Sequence, residues 1–190
     1  PTIGGPWSTL NSTNDNSVYN NLLQTTHYRL IVKNGVCEQD TSNLTSIIID
    51  EPSEGGNIIG SNDACSGDNS GSLNLINSTG VINKWQSSID NGVTWLDISN
   101  NTNSLNYTNL ITTTLYRTEL TNGTCPSVFS DTAVINVNPL PIVSFNALDV
   151  CNGVNTQFIN GTTVTGGAIS SYSWDFGDGT SGSNTNPAHL

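Results

Sequence analysis

Apolar and polar side chains alternate along this chain in short runs, and turn-forming residues separate the runs. Residues 71–76 (GSLNLI) set Leu73 and Leu75 against polar neighbours, the period of a half-buried strand. A second run, 81–87 (VINKWQS), follows Gly80. Ile89-Asp90-Asn91-Gly92 then reads as a hairpin turn, because Asn-Gly tolerates positive φ. The chain returns through 93–98, and further strands are predicted over 104–110 and 115–120. Asn122-Gly123 turns it again, one strand over 128–137 closes the unit, and Pro139 and Pro141 mark a junction. In 115–120 the alternation puts Tyr116, Thr118 and Leu120 on one face, which is the predicted core face. Trp85 and Trp95 flank the Asn91-Gly92 turn and are both expected to fill the core. No stretch has the periodicity of an amphipathic helix.

The pattern is also copied. Residues 7–51 recur without a gap as residues 95–139, 88 positions later. Trp7 falls on Trp95, Tyr19 on Tyr107, Leu22 on Leu110, Tyr28-Arg29 on Tyr116-Arg117, Asn34-Gly35 on Asn122-Gly123, Cys37 on Cys125 and Ile47 on Ile135. A fixed period signifies one structural unit repeated along a chain. The expected organisation is the C-terminal part of one unit at 1–52, a complete unit at 53–139 and the first part of a different module at 140–190. On this reading the chain is a window of a longer array.

Composition narrows the function classes. Charged residues make up 10% of the chain, against roughly 25% in an average soluble protein. Asn, Ser, Thr and Gly replace them, which suits strands and turns better than helices. The net charge of −11 argues against nucleic acid, which requires a basic face, and against docking on an anionic membrane. No run of about 20 apolar residues occurs, so no direct membrane insertion is expected.

Short strands separated by turns in a unit of this length indicate an all-β sandwich. Tyr107-x-x-Leu110-x-x-x-Thr114-x-Tyr116, repeated as Tyr19, Leu22, Thr26 and Tyr28, resembles the strand E–F corner of fibronectin type III and immunoglobulin-like domains. That resemblance implies a tyrosine hydroxyl bonded back to the corner backbone. The last third differs: Phe145, Cys151, Phe158, the run Trp174-Asp175-Phe176-Gly177-Asp178-Gly179 and the trailing Asn186-Pro187-Ala188-His189 resemble a PKD domain. The implied architecture is tandem immunoglobulin-like or fibronectin III-like sandwiches followed by a PKD-like sandwich. The repeat and the PKD motif together are similar to giant surface proteins of Bacteroidetes, and most closely to SprB-type gliding motility adhesins exported by the type IX secretion system. The resemblance implies an extracellular location on the outer cell surface. It also implies partners among extracellular surfaces, polysaccharide and the secretion and motility machinery of the outer membrane.

Candidate chemistry is sparse. Cys37, Cys65, Cys125 and Cys151 lack the close pairing of a zinc site. The repeat instead suggests one cysteine ahead of the 71–76 strand and one in the Asn-Gly turn, so that Cys65 and Cys125 bridge within the complete unit, in an oxidising compartment. In a standard sandwich those two positions lie at opposite ends, and the bridge requires Cys65 to fold back along the unit. Ser88-x-Asp90-x-Gly92-x-x-Trp95 matches the Asp-box of sialidase propellers, but the copy at 1–7 has neither Ser nor Asp. An Asp bonding turn amides accounts for it. Asp175 and Asp178 are two carboxylates where calcium wants six to eight oxygens, so turn capping is expected and no metal or organic cofactor. His27 and His189 are the only histidines, and neither adjoins a nucleophile motif, so no catalytic residues are expected. Asp131-Thr132-Ala133 resembles the motif at which Bacteroidetes attach O-linked glycans and makes Thr132 a candidate. The sequons at Asn11, Asn43, Asn77, Asn122 and Asn160 matter only in a eukaryotic secretory route. Structural roles are expected for Cys65, Cys125, Trp85, Trp95, Tyr116, Trp174 and Asp178.

The function expected from these readings is a non-enzymatic segment of a long secreted surface adhesin, acting in attachment and gliding. The alternative is a spacer or carbohydrate-binding module of a large secreted hydrolase.

Overall fold

A computed structural model of the chain describes residues 6–10 and 19–190. Among the described residues there are only strands, turns and loops. The first segment holds β1 (Thr26–Tyr28), β2 (Ile31–Val32), β3 (Asp40–Thr41) and β4 (Thr45–Ile47). The middle one holds β5 (Asn57–Ile59), β6 (Asn62–Cys65), β7 (Ser70–Ile76), β8 (Val81–Ser88), β9 (Leu96–Ile98), β10 (Ser104–Thr108), β11 (Thr114–Thr121), β12 (Val128–Phe129) and β13 (Ala133–Asn138). The last holds β14 (Phe145–Ala147), β15 (Thr156–Asn160), β16 (Trp174–Asp175), β17 (Ser181–Gly182) and β18 (Ala188–His189).

The middle segment builds two sheets. One is antiparallel, in the order β10-β7-β5. The other is mixed, in the order β6-β13-β11-β8-β9, with β12 also on β11 and with β6 parallel to β13. Alternation decides what each sheet buries. In β11 the residues Thr114, Tyr116, Thr118 and Leu120 are buried while the four that alternate with them, Leu115, Arg117, Glu119 and Thr121, are half-exposed. Leu73 and Leu75 of β7, Leu105 and Tyr107 of β10 and Ile58 of β5 meet Ile82, Trp85, Tyr116, Leu120, Ala133 and Ile135 of the larger sheet in one cluster. Trp85, Leu73, Leu120 and Ile135 are fully buried, and each of the three aliphatic side chains contributes about 1.5–3 kcal/mol by leaving water.

Two turns follow from the sequence directly. Asn91 and Gly92 have φ of 60° and 85°, and Asn91-Gly92 reverses the chain after β8. Gly123, at φ 53°, packs so closely on the Asp50 carboxylate that a β-carbon would collide with it.

The predicted strand over 128–137 is in fact two strands. Ser130 donates its backbone N–H to the Thr118 carbonyl (3.0 Å) and accepts the Thr118 N–H on Oγ (2.9 Å), which ends the β12 pairing. Asp131 then crosses to the other sheet: its carboxylate accepts the Ile58 N–H at 2.6 Å and the Asn57 amide at 3.1 Å. The chain rejoins β11 only at Ala133.

In the last segment, β14, β15 and β18 form one small sheet and β16 and β17 another. Phe145, Phe158, Trp174 and Phe176 pack together with ring centroids 5.3–6.1 Å apart.

Candidate functional site

The most organised polar surface is the outer face of the mixed sheet. It carries the residues that alternate with the buried ones on β11 and β8. The Arg117 guanidinium lies between two rings, 4.0 Å from the Trp95 centroid and 3.9 Å from that of Phe129, a cation–π arrangement on both faces. Its Nε donates to Gln86 Oε1 at 2.8 Å, and Gln86 Nε2 donates to Asp97 Oδ1 at 2.7 Å. Lys84 completes the row, 2.8 Å from Asp97 and 3.5 Å from Glu119. The Gln86 and Lys84 bonds hold the Asp97 carboxyl below its ordinary range, and Asp97 in turn raises Lys84.

Trp95 was expected in the core and is on this outer face instead. Trp85 pairs with Ile98 and Ser87 with Leu96. Continuing that register one residue places Trp95 opposite Ser88, on the side away from Trp85. The Trp95 indole donates to Gly92 O at 3.0 Å and remains half-exposed. Only Trp85 is a core tryptophan, its Nε1 donating to Thr102 O at 2.9 Å.

The hairpin beside it is closed by its own side chains. Ser88 Oγ donates to Asp90 Oδ1 at 2.7 Å and accepts the Gly92 N–H at 2.9 Å. Asp90 also accepts the Thr94 N–H at 2.9 Å and the Thr94 hydroxyl. These bonds, with Thr94 foremost, depress the Asp90 carboxyl to about 2. The Ser-x-Asp-x-Gly-x-x-Trp spacing therefore works as a turn cap.

The expected Cys65–Cys125 bridge is absent: the four cysteines are free thiols. Cys65 ends β6 opposite Asn138, past the Thr114 end of β11. Cys125 lies in the turn beyond Thr121, at the other end of β11. The eight residues of that strand separate them by roughly 24 Å, where a disulfide needs Cα atoms about 4.4–6.8 Å apart.

The corner after β10 also departs from expectation. Its hydrogen bonds come from Asn69 rather than from a tyrosine hydroxyl. Asn69 Nδ2 donates to Leu110 O and Cys65 O, both at 2.7 Å, and Oδ1 accepts the Leu110 N–H at 2.9 Å. Tyr107 instead packs on Gly71, where a β-carbon would strike its ring, and stacks on Tyr116 at 6.4 Å. Burial pushes the Tyr116 phenol up.

In the last segment Trp174 is half-buried in the aromatic group and donates to Asn184 O at 2.9 Å. Asp175 accepts the Gly177 N–H at 2.9 Å. Asp178 accepts the Thr180 N–H at 2.9 Å and the Thr180 hydroxyl at 2.6 Å, and its other oxygen meets His189 Nε2 at 2.9 Å. These contacts, the Thr180 bonds first, lower Asp178 to about 2. The Thr180 hydroxyl donates to the Asp178 carboxylate. The ring of His189 stacks on Phe176 at 4.2 Å. His27 bonds to Ser46, its cross-strand partner, at 2.7 Å. Thr132 is exposed. Asn43 and Asn77 are exposed, Asn122 and Asn160 half-buried, and Asn11 lies outside the described residues.

Asn69, Asp50, Asp131 and Gln86 carry much of this arrangement and were missed in the sequence. Each bonds to residues distant along the chain, and no motif marks these roles; Asp131 stands out in the sequence only as part of Asp131-Thr132-Ala133.

What the geometry defines is an all-β repeat in which Asp50, Asp90, Asp97 and Asp131 serve in caps and cross-strand bonds. The chain belongs to a family described as a domain of unknown function (DUF8696), whose model matches it twice, over residues 4–51 and 54–139. No curated protein matches the chain.

Proposed function

We propose that this chain is a non-enzymatic segment of a long, exported surface protein, an adhesive filament of tandem immunoglobulin-like sandwiches followed by a PKD-like one. The observation that carries this reading is the repetition of one β-rich unit in register at 88 residues. Units of this kind contact mainly their neighbours and stack into extended arrays. The junction Asn138-Pro139-Leu140-Pro141 is short and stiffened by proline. A surface of amides and hydroxyls with net negative charge resists self-association, and weak contacts gain strength by multivalency. The site residues fit a mechanical role, since Asp90, Asp131 and Asp178 lock turns and strands. The proposed partners are extracellular surfaces or polysaccharide, together with the outer-membrane machinery that exports and moves the filament.

The test is cellular. Antibody against residues 53–139 should label intact, unpermeabilised cells, and deletion of the gene should reduce attachment or surface movement. Labelling only after lysis, with attachment and movement unchanged in the deletion strain, would refute the reading.

A further inference from the structure

The two ends of the middle unit each carry one thiol, and the repeat shows what each faces. At its leading end, Cys125 Sγ lies 3.8 Å from Asp50 O and 3.3 Å from Glu51 O, the last residues of the preceding repeat. At the trailing end, Cys65 is the parallel cross-strand partner of Asn138. Asn138 is the copy of Asp50, 88 residues on. In a complete preceding repeat the cysteine at the Cys65 position therefore stands one strand away from Asp50, about 4.8 Å. It points to the same side of the sheet as Asp50. That is the side on which the Asp50 carboxylate accepts the Thr124 N–H at 2.9 Å, one residue from Cys125.

We infer that Cys125 is half of a disulfide joining successive repeats, its partner being the Cys65-position thiol of the repeat before it. The Cys65 position lies beside Asp50 on the neighbouring strand, and Cys125 Sγ touches the Asp50 and Glu51 carbonyls, so both thiols meet at one backbone segment. The pair within one unit is far beyond the roughly 4.4–6.8 Å between Cα atoms that a disulfide requires. The oxidant is a small-molecule or protein disulfide. One thiolate attacks it to give a mixed disulfide and release one thiol. The second thiolate displaces the other, so two electrons and two protons leave the protein pair. The inference rests on repeat geometry and holds whether or not the parent protein is an adhesin.

The middle unit has its own core, so a two-repeat protein is a fair test. Residues 52–137 joined directly to residues 50–139 keep the register and place Asp50-Glu51 at the joint. One version retains only Cys65 of the first copy and Cys125 of the second, with the other two changed to serine. A control retains only the two outward-facing thiols. In a glutathione redox buffer the first version should lose both thiols to an internal bond, seen as a mass lower by two hydrogens that reductant restores. The control should form no internal bond. Free thiols in a first version whose circular dichroism shows folded sheet would overturn the inference, as would equal bonding in the control. Peptide mapping of unreduced parent protein from cell surfaces supplies a second measurement. Cross-links between cysteines of adjacent repeats support the proposal, and cross-links within a repeat or free thiols refute it.

Discussion

In the first repeat Thr26, His27 and Tyr28 face Ile47, Ser46 and Thr45; in the second, Thr114, Leu115 and Tyr116 face Ile135, Val134 and Ala133. Every partner has moved by 88 residues. The same holds for Ile31↔Thr41 against Glu119↔Phe129, and for the serine clamp of Ser42 on Leu30 against Ser130 on Thr118. Arg29 lies 4.2 Å from the Trp7 ring as Arg117 lies 4.0 Å from that of Trp95. Burial is where the copies part. Val32 is 53% exposed and Leu30 64%, while Leu120 and Thr118 are fully buried. Among the described residues the first repeat has the strands of this hairpin and no counterparts to β5, β7 and β8. Register is thus a local property, set by the Asn-Gly turn and the serine clamp. Stability comes from strands distant in sequence.

That division predicts unequal costs for matched substitutions. Leu120→Ala opens a cavity in a closed core and should destabilise the middle unit by about 2–5 kcal/mol. Val32→Ala, its counterpart, should stay within about 0.5 kcal/mol. Urea denaturation of the two variants, followed by Trp85 fluorescence and by circular dichroism, measures both. Equal losses would mean that the first repeat has a covered core of its own.

Asp131 tests the tie between the sheets. Its carboxylate takes two donors from β5, and the first repeat has Asn43 in its place. Asp131→Ala leaves the Ile58 N–H unpaired and should cost about 1.5–3 kcal/mol, while Asn43→Ala should be near neutral. Amide hydrogen exchange should show β5 losing protection first.

Thr118 runs the other way. Its hydroxyl is buried and has no hydrogen-bond partner, and the first repeat has Leu30 at this position. Thr118→Val keeps the shape and removes the unpaired group, so it should stabilise by about 1 kcal/mol. Thermal unfolding of the isolated 53–139 unit provides the measurement, and a lowered midpoint would show that the hydroxyl does find a partner.

The strands β7 to β11 and the Asn91-Gly92 and Asn122-Gly123 turns are legible in the sequence because they depend on residues near one another: alternation in β7 and β11, positive φ at Asn91 and Gly92. The short β5 and β6 are not predicted, because three or four residues carry too little alternation and their pairing is with distant strands. Trp95 was misplaced because its face follows from the cross-strand register of Trp85 with Ile98, which no local pattern fixes. Residues 128–137 read as one strand because an Asp in a strand gives no sign that it will cross to a second sheet. The cysteines were paired by recurrence alone. Recurrence gives equivalence between units but not distance within one, and the length of β11 decides the matter. Asn69 was missed because its bonds reach Leu110, 41 residues away.

The smallest expected effect is acid sensitivity of the β8–β9 hairpin. Asp90 has a folded value of about 2, held there by Thr94 and Ser88, against roughly 3.9 for an unfolded aspartate. A depressed carboxyl stabilises the fold above its unfolded value, and that contribution is lost as pH falls through the folded one. The loss therefore falls between about pH 4 and about pH 2. The carboxylate is open to solvent, so the effect should be small and weaken with salt. Asp90→Asn should flatten the acid limb of a stability–pH curve for the 53–139 unit, leaving the contribution of Asp97, which is lowered too. Lys84 has the opposite sign: its raised value stabilises at neutral pH and is lost only as pH climbs through it. The first repeat has Thr2 at the Asp90 position. A curve for Asp90→Asn that keeps the full acid limb would show that the turn is held by its backbone, with the Ser88–Asp90–Thr94 bonds following the turn and not fixing it.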